Sequence, residues 1–196
     1  STQAKTLFPY TTLFRSAVES VESAVELHNA YKFEAFDRFG RPKWVEEIPN
    51  LVTNEGLDDL LTKYLKGSAY TAAWYVGLID NASFGAVAAG DTAAKISLTA
   101  NSPTTNDWQE ADDYSESVRQ TLTLGSVSGQ SVNNVASKAV YSINGTVTVK
   151  GAFIASSSTK GGTSGVLYGE AAFSTARDLL SGDTLNVTCT LTAATA

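Results

Sequence analysis

Five carboxylates lie close together in the stretch NDWQEADDYSE and form a cluster that could bind a metal ion or catalyse a reaction. They could supply oxygen ligands to Ca²⁺, or two of them could act as catalytic carboxylates, as in a glycosidase. The carboxylates are Asp107, Glu110, Asp112, Asp113 and Glu116. Their spacing matches no EF-hand loop, so the pattern favours a solvated acidic loop. Trp108 and Tyr114 could anchor a contact with a partner, or they could equally fold this loop onto its own body.

The other reactive side chains are isolated. His28 is the only histidine, and without a nucleophile-elbow pattern we expect it to be a surface or docking residue. Cys189 is the only cysteine, and the alternating pattern TLNVTCTLTA favours a packed small hydrophobic residue over a reactive thiol. One histidine and one cysteine cannot complete a four-ligand zinc site without carboxylates, and the sequence contains no dinucleotide-binding glycine pattern or P-loop. We therefore expect no catalytic residue, no metal, no cofactor and no enzymatic activity.

Composition limits the classes of partner. The 196 residues are enough for one domain of ordinary size plus an arm, and a net charge of −6 without a basic run disfavours nucleic acid. Only 17% of the residues are charged, so Ser, Thr, Asn and Gly supply much of the polar surface. No apolar run approaches the roughly 18 residues that a membrane span needs, and the N-terminal residues lack the pattern of a signal peptide. We expect neither nucleic acid nor a membrane among the partners.

An amphipathic segment, SAVESVESAVELHNAY, lies near the start of the sequence. Its stripe residues recur every three or four positions after a Ser-x-x-Glu capping box, which predicts a short helix. They are Val18, Val21, Val25 and His28. We expect residues 1–30 to form an N-terminal arm that docks on the body or on a neighbour, and residues 31–196 to form a β-sandwich domain.

Residues 6–16, TLFPYTTLFRS, differ in character from the acidic segment that follows them. All eleven match the translation of a common short-read sequencing adapter, which they resemble more closely than an evolved protein segment. We therefore expect residues up to about Ser16 to be an artefact of sequence assembly, and we take no function from them. Mass spectrometry of the natural protein would contradict this interpretation by finding the peptide TLFPYTTLFR.

The remaining pattern predicts an all-β fold with one helix. YKFEAFDRFGRPKWVEEI alternates on both sides of a turn and predicts a β-hairpin. NEGLDDLLTKYLKG predicts a helix that has Asn54 as its N-cap, carries one apolar stripe and ends with Gly67 at the C′ position. TAAWYVGLID predicts a buried strand, and residues 81–115 are irregular. From Ser117 onward, short strands separated by Gly, Ser and Asn turns predict a jelly roll or β-sandwich, and SSSTKGGTSG predicts an exposed, mobile tip between two of them.

Four stretches in this order resemble a family of tailed-phage structural proteins, the capsid cement or decoration proteins. They are YKFEAFDRFGRPKWVEEIPNLVTNEGLDDLL, KGSAYTAAWYVGLID, GTVTVKGAFIASSSTKGGTSGVLYGEAAFS and SGDTLNVTCTLTA. The resemblance runs from about Tyr31 to the end of the sequence. It implies jelly rolls that pair as dimers on the outer capsid surface and clamp neighbouring major capsid proteins without catalysis. The 81–115 region is longer and more acidic than in that family, so contacts there transfer least.

We therefore expect a phage virion protein that binds the major capsid protein as a homodimer and stabilises the capsid. The expected contact residues are Val18, Val21, Val25, Trp44, Trp108 and Tyr114. The alternative is a tail or fibre protein that recognises a host glycan, for which we expect surface aromatics in a shallow groove and trimeric assembly. A carboxylate-dependent glycosidase that uses the acidic loop ranks third.

Overall fold

Apolar and polar residues alternate along much of the sequence, and this period of two is that of an extended chain. Most of the fold accordingly consists of β-strands. The computed structural model describes residues 25–70, 73–82, 84–97 and 108–195, and the structural statements below concern these residues. Their strands are β1 (Val25–Leu27), β2 (Asn29–Phe36), β3 (Pro42–Val52), β4 (Tyr75–Asp80), β5 (Gln109–Ala111), β6 (Gln120–Thr121), β7 (Ser131–Asn133), β8 (Ala139–Ser142), β9 (Val147–Ala155), β10 (Leu167–Leu179) and β11 (Thr184–Thr195).

Helical structure in the described ranges is short. Helix α1 (Asn54–Leu60) continues into a π-helical turn at Leu61–Leu65, and single 3₁₀ turns lie at Ala93–Lys95 and Val135–Ser137. None of these helices is long and apolar enough to cross a membrane.

The strands form one antiparallel arrangement that curls on itself. β11 pairs with β1 and β2 along one edge and with β7 and β8 along the other. The path continues from β2 through β3, β10 and β9 to β4, whose outer edge pairs with β5 and β6. The strands at the two ends of this path, β8 and β4, lie close together. The Tyr141 hydroxyl on β8 donates a hydrogen bond to the Val76 carbonyl on β4 at 2.8 Å.

The curl encloses the main core, to which β2, β4, β8, β9, β10 and β11 all contribute. Alternation along β4 places Val76 and Leu78 in this core, whereas Ile79 faces a second, smaller cluster. Both faces of β4 are therefore covered, as its continuous apolar run predicts. The second cluster is centred on Trp108 and Phe153. It lies on the opposite side of the sheet from the main core.

Several predictions from the sequence are confirmed. The predicted hairpin is β2 and β3, with Ala35 opposite Trp44 and with Gly40 in the turn at a φ of +75°. The predicted buried strand at TAAWYVGLID is β4, and strands return after Ser117. The all-β class with one short helix is therefore correct.

The predicted helix of the N-terminal arm is wrong over Val25–Ala30. These residues belong to β1 and β2, and Val25 pairs with Thr195 while Leu27 pairs with Ala193. The β-branched side chain of valine also favours strands, and hydrogen bonding to the neighbouring β11 decides between the two conformations. The earlier part of the predicted helix, with Val18 and Val21, lies outside the described residues.

Candidate functional site

Helix α1 is held against β10 by its first turn. Its N-cap is Thr53, one residue before the predicted Asn54, and the Thr53 hydroxyl accepts a hydrogen bond from the Gly56 N–H at 3.1 Å. The Glu55 carboxylate turns back and accepts a hydrogen bond from the Leu167 N–H at 2.7 Å. These bonds fix the start of the helix on the first residues of β10.

The helix meets the sheet through its backbone rather than through its leucines. Gly56 is the buried residue of α1, and a Cβ at this position would lie 2.3 Å from the Tyr168 carbonyl oxygen. Any side chain there would force the helix away from β10. Because the contact is made at this glycine, the apolar stripe of the helix stays turned away from the main core.

This apolar stripe is therefore exposed. Leu57, Leu61 and Leu65, which we call the leucine face, are all exposed, and Leu65 is 74% exposed. An amphipathic helix ordinarily buries such a stripe against its own protein. Contiguous exposed apolar patches larger than a few hundred Å² mark sites that bind a partner. The leucine face is thus a candidate docking surface.

A groove of about 240 Å³, which we call the helix-side groove, lies along the other edge of the helix. Its lining is mainly aromatic and aliphatic, and it includes Leu60, Tyr64, Tyr70, Trp74, Tyr168 and Leu191. Tyr64 and Tyr70 are 72% and 73% exposed, and the Trp74 ring lies 5.5 Å from that of Tyr168. Aromatic rings with one face in solvent are favoured at the centres of binding sites.

The rim of the groove carries charge of both signs. Lys63 and Asp59 line it, and Lys66 follows at the end of the π-helical turn. Among the described residues neither lysine forms an ion pair. Two lysines beside an apolar groove favour an occupant that has an apolar stripe flanked by carboxylates.

The aromatic residues predicted as contacts in the acidic loop lie inside the protein. Trp108 is 0% exposed, its Nε1–H donates to a Glu170 carboxyl oxygen at 3.0 Å, and its ring lies 5.0 Å from that of Phe153. Tyr114 is 2% exposed and packs edge-on against Tyr141. The structure therefore supports the alternative in which these rings fold the loop onto its own body. Their burial leaves no side-chain surface for a partner.

The other predicted contacts are dispersed. Trp44 is partly buried on β3 and packs edge-on against Phe173 at 6.0 Å. Val25 is exposed on β1. The structure does not bring Trp44, Trp108 and Tyr114 into one surface, while Val18 and Val21 lie outside the described residues.

The carboxylate at the centre of the acidic stretch is committed to a buried ion pair. Glu110 and Arg119 are each fully buried, with Arg119 Nε and Nη2 donating to the two Glu110 carboxylate oxygens at 2.8 Å. Arg119 also donates to the carbonyls of Ser157 and Gly162 at 2.8 and 3.2 Å. Glu110 accepts from the Gly161 N–H at 2.6 Å. A carboxylate occupied in this way cannot serve as a calcium ligand or a catalytic base.

The same contacts hold part of the stretch SSSTKGGTSG against the body. Arg119 and Glu110 tie the stretch down, and the Lys160 ammonium donates to the Tyr114 carbonyl at 2.9 Å while lying 3.5 Å from the centre of the Tyr114 ring. Burial lowers the pKa of Lys160, although nearby carboxylates oppose the shift. The composition of this loop predicts mobility, but long-range polar contacts anchor it.

The other described carboxylates around this loop do not form a metal site. Burial raises the pKa of Asp80, and the charges of Asp113 and Asp112 add to the shift. No group of three or more His, Cys, Asp or Glu residues suited to a metal ion occurs within the described ranges. Asp107 lies outside those ranges.

A second buried carboxyl group, Glu170, attaches the 84–97 segment to β10. Its oxygens accept from the Ala88 N–H at 2.9 Å and from Trp108 Nε1 at 3.0 Å. Burial, together with the hydrogen bond to Asp91 and the charge of Asp91, raises the pKa of Glu170 to about 9. The group is therefore protonated at neutral pH and acts as a structural link. Perturbed groups of this kind also occur in active sites, but this one is enclosed by Trp108 and main chain.

The isolated histidine and cysteine have ordinary structural surroundings. His28 lies between β1 and β2, exposed, with its Nε2 at 3.0 Å from a Glu26 carboxylate oxygen. Cys189 is fully buried in the main core, and burial raises the pKa of its thiol. The interpretation of Cys189 as a packed hydrophobic residue is confirmed.

Comparison with known proteins gives no identification. No protein-family model matches this chain, and no curated protein matches it. The leucine face and the helix-side groove therefore stand on their geometry alone. Sequence reasoning identified the apolar stripe but did not predict its exposure, because that follows from the contact between Gly56 and Tyr168.

Proposed function

We propose that this chain is a phage virion structural protein of the cement type, which binds the major capsid protein on the outer capsid surface and stabilises the shell. The observation that supports this proposal best is the exposed leucine face beside an apolar groove. The antiparallel body provides a rigid support for such a surface. The resemblance of residues 31–196 to cement proteins supports the same assignment.

The proposal includes a jelly roll and a homodimer. The curled antiparallel sheet, in which β11 pairs along both edges, is compatible with a jelly roll. A dimer would present two leucine faces to a symmetric shell. Binding at two points gains effective concentration, so modest contacts at each point suffice for stable attachment.

Cosedimentation with capsid shells of the phage that encodes the chain tests this function. The variant Leu61→Asp/Leu65→Asp places two charges on the leucine face, and we expect it to lose shell binding by at least about tenfold, because burying an unpaired charge costs several kcal/mol. The control Val127→Asp adds a charge at an exposed valine outside the helix and should bind normally. Wild-type binding by the double variant would contradict the leucine-face assignment.

Particles that lack the protein provide the second measurement. We expect them to lose packaged DNA on heating or salt shock sooner than wild-type particles do. Equal survival, or labelling of the protein on the tail rather than on the shell, would contradict the cement assignment.

The aromatic lining of the helix-side groove favours a second candidate, a tail or fibre protein that recognises a host glycan. Sugars stack on aromatic rings, and the exposed Tyr64 and Tyr70 line the groove together with the half-buried Trp74. A glycan array would support this candidate if it showed binding that Trp74→Ala abolishes and Val127→Asp leaves intact. Absence of binding by the wild-type chain would contradict it.

A further inference from the structure

Exposed apolar side chains are concentrated around helix α1. Among the described residues, six of the fifteen large apolar side chains that are exposed lie between Leu57 and Tyr70. The leucine face accounts for three of them, and the other three, Leu60, Tyr64 and Tyr70, line the helix-side groove. An exposed apolar surface of this kind gains free energy when a partner covers it.

The size of the groove favours inserted side chains over an enclosed small molecule. Its volume is about 240 Å³, whereas sites that enclose a small organic ligand measure roughly 300–1,000 Å³. Tyr64 lines the groove from the helix and is 72% exposed. A protein partner that inserts one or two apolar side chains would fill the groove and cover Tyr64 at the same time.

The charged side chains of this helical segment are separated by sign. Asp58 and Asp59 lie in its first half, whereas Lys63 and Lys66 lie in its second half. None of the four forms an ion pair with a described residue. Two such segments placed side by side and antiparallel bring the acidic half of each against the basic half of the other, whereas a parallel arrangement brings like charges together. The segment is therefore complementary to itself, as a two-fold contact requires.

We infer that a second copy of this chain occupies the helix-side groove, with the two α1 helices antiparallel about a two-fold axis. Asp59 and Lys63 both line the groove, so Asp59 of each copy meets Lys63 of the other, and Tyr64 of each copy enters the groove of the other.

This inference rests on the proposed function for the pairing of two copies, and it names the surface through which they pair. The leucine face does not line the groove and remains available to the shell.

Sedimentation velocity of the full chain over a concentration series tests the inference. We expect a reversible dimer, and we expect Tyr64→Ala to raise its dissociation constant at least about tenfold, because aromatic anchors carry much of the binding energy of an interface. The matched control Phe39→Ala removes another exposed ring, in the turn between β2 and β3, and should leave the dimer unchanged. A wild-type chain that stays monomeric, with or without a bound sugar, would overturn the inference, and so would equal dimerisation by Tyr64→Ala.

Charge exchange tests the antiparallel arrangement. Asp59→Lys and Lys63→Asp should each weaken the dimer at least about threefold, because a two-fold contact repeats the like-charge pair. A mixture of the two variants should form a mixed dimer about as tight as the wild-type dimer, since opposite charges then meet at both positions. A mixed dimer no tighter than either variant alone would overturn the arrangement.

The leucine-face variant separates this inference from the proposed function. Leu61→Asp/Leu65→Asp, which we expect to lose binding to capsid shells, should still dimerise, because neither residue lines the groove. Loss of the dimer in this variant would show that the leucine face joins the two copies, and it would overturn the assignment to the groove. A wild-type chain that dimerises through Tyr64 but does not cosediment with shells would support the inference and contradict the proposed function.

Discussion

Replacing Arg119 by leucine should destabilise this protein more than any exposed substitution, because it leaves the Glu110 carboxylate buried without its partner. Arg119 and Glu110 are both fully buried and joined by two hydrogen bonds of 2.8 Å. Arg119 also holds the carbonyls of Ser157 and Gly162. The substitution thus removes one ion pair and leaves one charge and two carbonyl groups without their donors.

The expected cost follows from the burial of this pair. Removing one partner of a buried ion pair costs about 3–5 kcal/mol, most of it from the charge left behind. For a protein of this size that corresponds to a fall in Tm of roughly 6–20 °C. The double variant Arg119→Leu/Glu110→Leu removes both charges, so we expect it to be more stable than the sum of the two single substitutions predicts, by about 2–3 kcal/mol.

Equilibrium unfolding in urea, followed by tryptophan fluorescence, measures these changes. Arg41→Leu is the matched control, since Arg41 pairs with Asp37 at the surface and solvent screens that pair. We also expect Arg119→Leu to open the 156–165 loop to proteolysis before global unfolding. A loss of less than about 1 kcal/mol for Arg119→Leu, or strict additivity in the double variant, would refute this account of the pair.

The remaining predictions concern the other buried groups. Because the folded state keeps a proton on Glu170 that the unfolded chain releases above its ordinary pKa of 4.5, stability should fall as pH rises from about 5 to about 9. In Glu170→Gln, Tm should depend less on pH over that range, and an unchanged pH profile would argue against a protonated Glu170. Gly56→Ala should lower the free energy of unfolding in urea by about 1–3 kcal/mol, because the new methyl group clashes with the Tyr168 carbonyl. Gly90→Ala should leave it unchanged, since no atom lies within 4 Å of a Cβ at that position. Similar losses in the two variants would contradict the clash at Gly56. Cys189 should react with a thiol reagent only after denaturation, and rapid labelling of the native chain would show that the core is open.

Sequence patterns identified elements more reliably than their surroundings. Alternation predicted the β2–β3 hairpin, and a continuous apolar run predicted the buried strand β4. A strand with one covered face alternates apolar and polar residues, whereas a strand with two covered faces is apolar throughout. The same reasoning predicted a helix through Val25, where pairing with Thr195 produces a strand instead. Spacing within one segment cannot report a hydrogen-bonding partner that lies about 170 positions away.

The candidate site shows the same division. The sequence identified the apolar stripe of α1 and the aromatic residues Trp108 and Tyr114 as candidate contacts. It did not show which of these side chains are exposed to solvent. Trp108 is buried because Glu170 accepts its Nε1–H and Phe153 covers its ring, whereas Leu65 is exposed because Gly56 meets β10 first. Each outcome depends on a contact between distant segments.

The order of residues was enough to predict the all-β class, the β2–β3 hairpin, the amphipathic helix α1 and the packing of Cys189 as a small hydrophobic residue. Each of these follows from local periodicity or from one side chain in its own strand. Three features depend instead on contacts between distant segments: Glu110 is paired with Arg119, the glycine-rich loop is anchored, and the leucine face and the helix-side groove are exposed to solvent. Burial and pairing are relations between segments, and they exist only once the sheet has curled and brought those segments together.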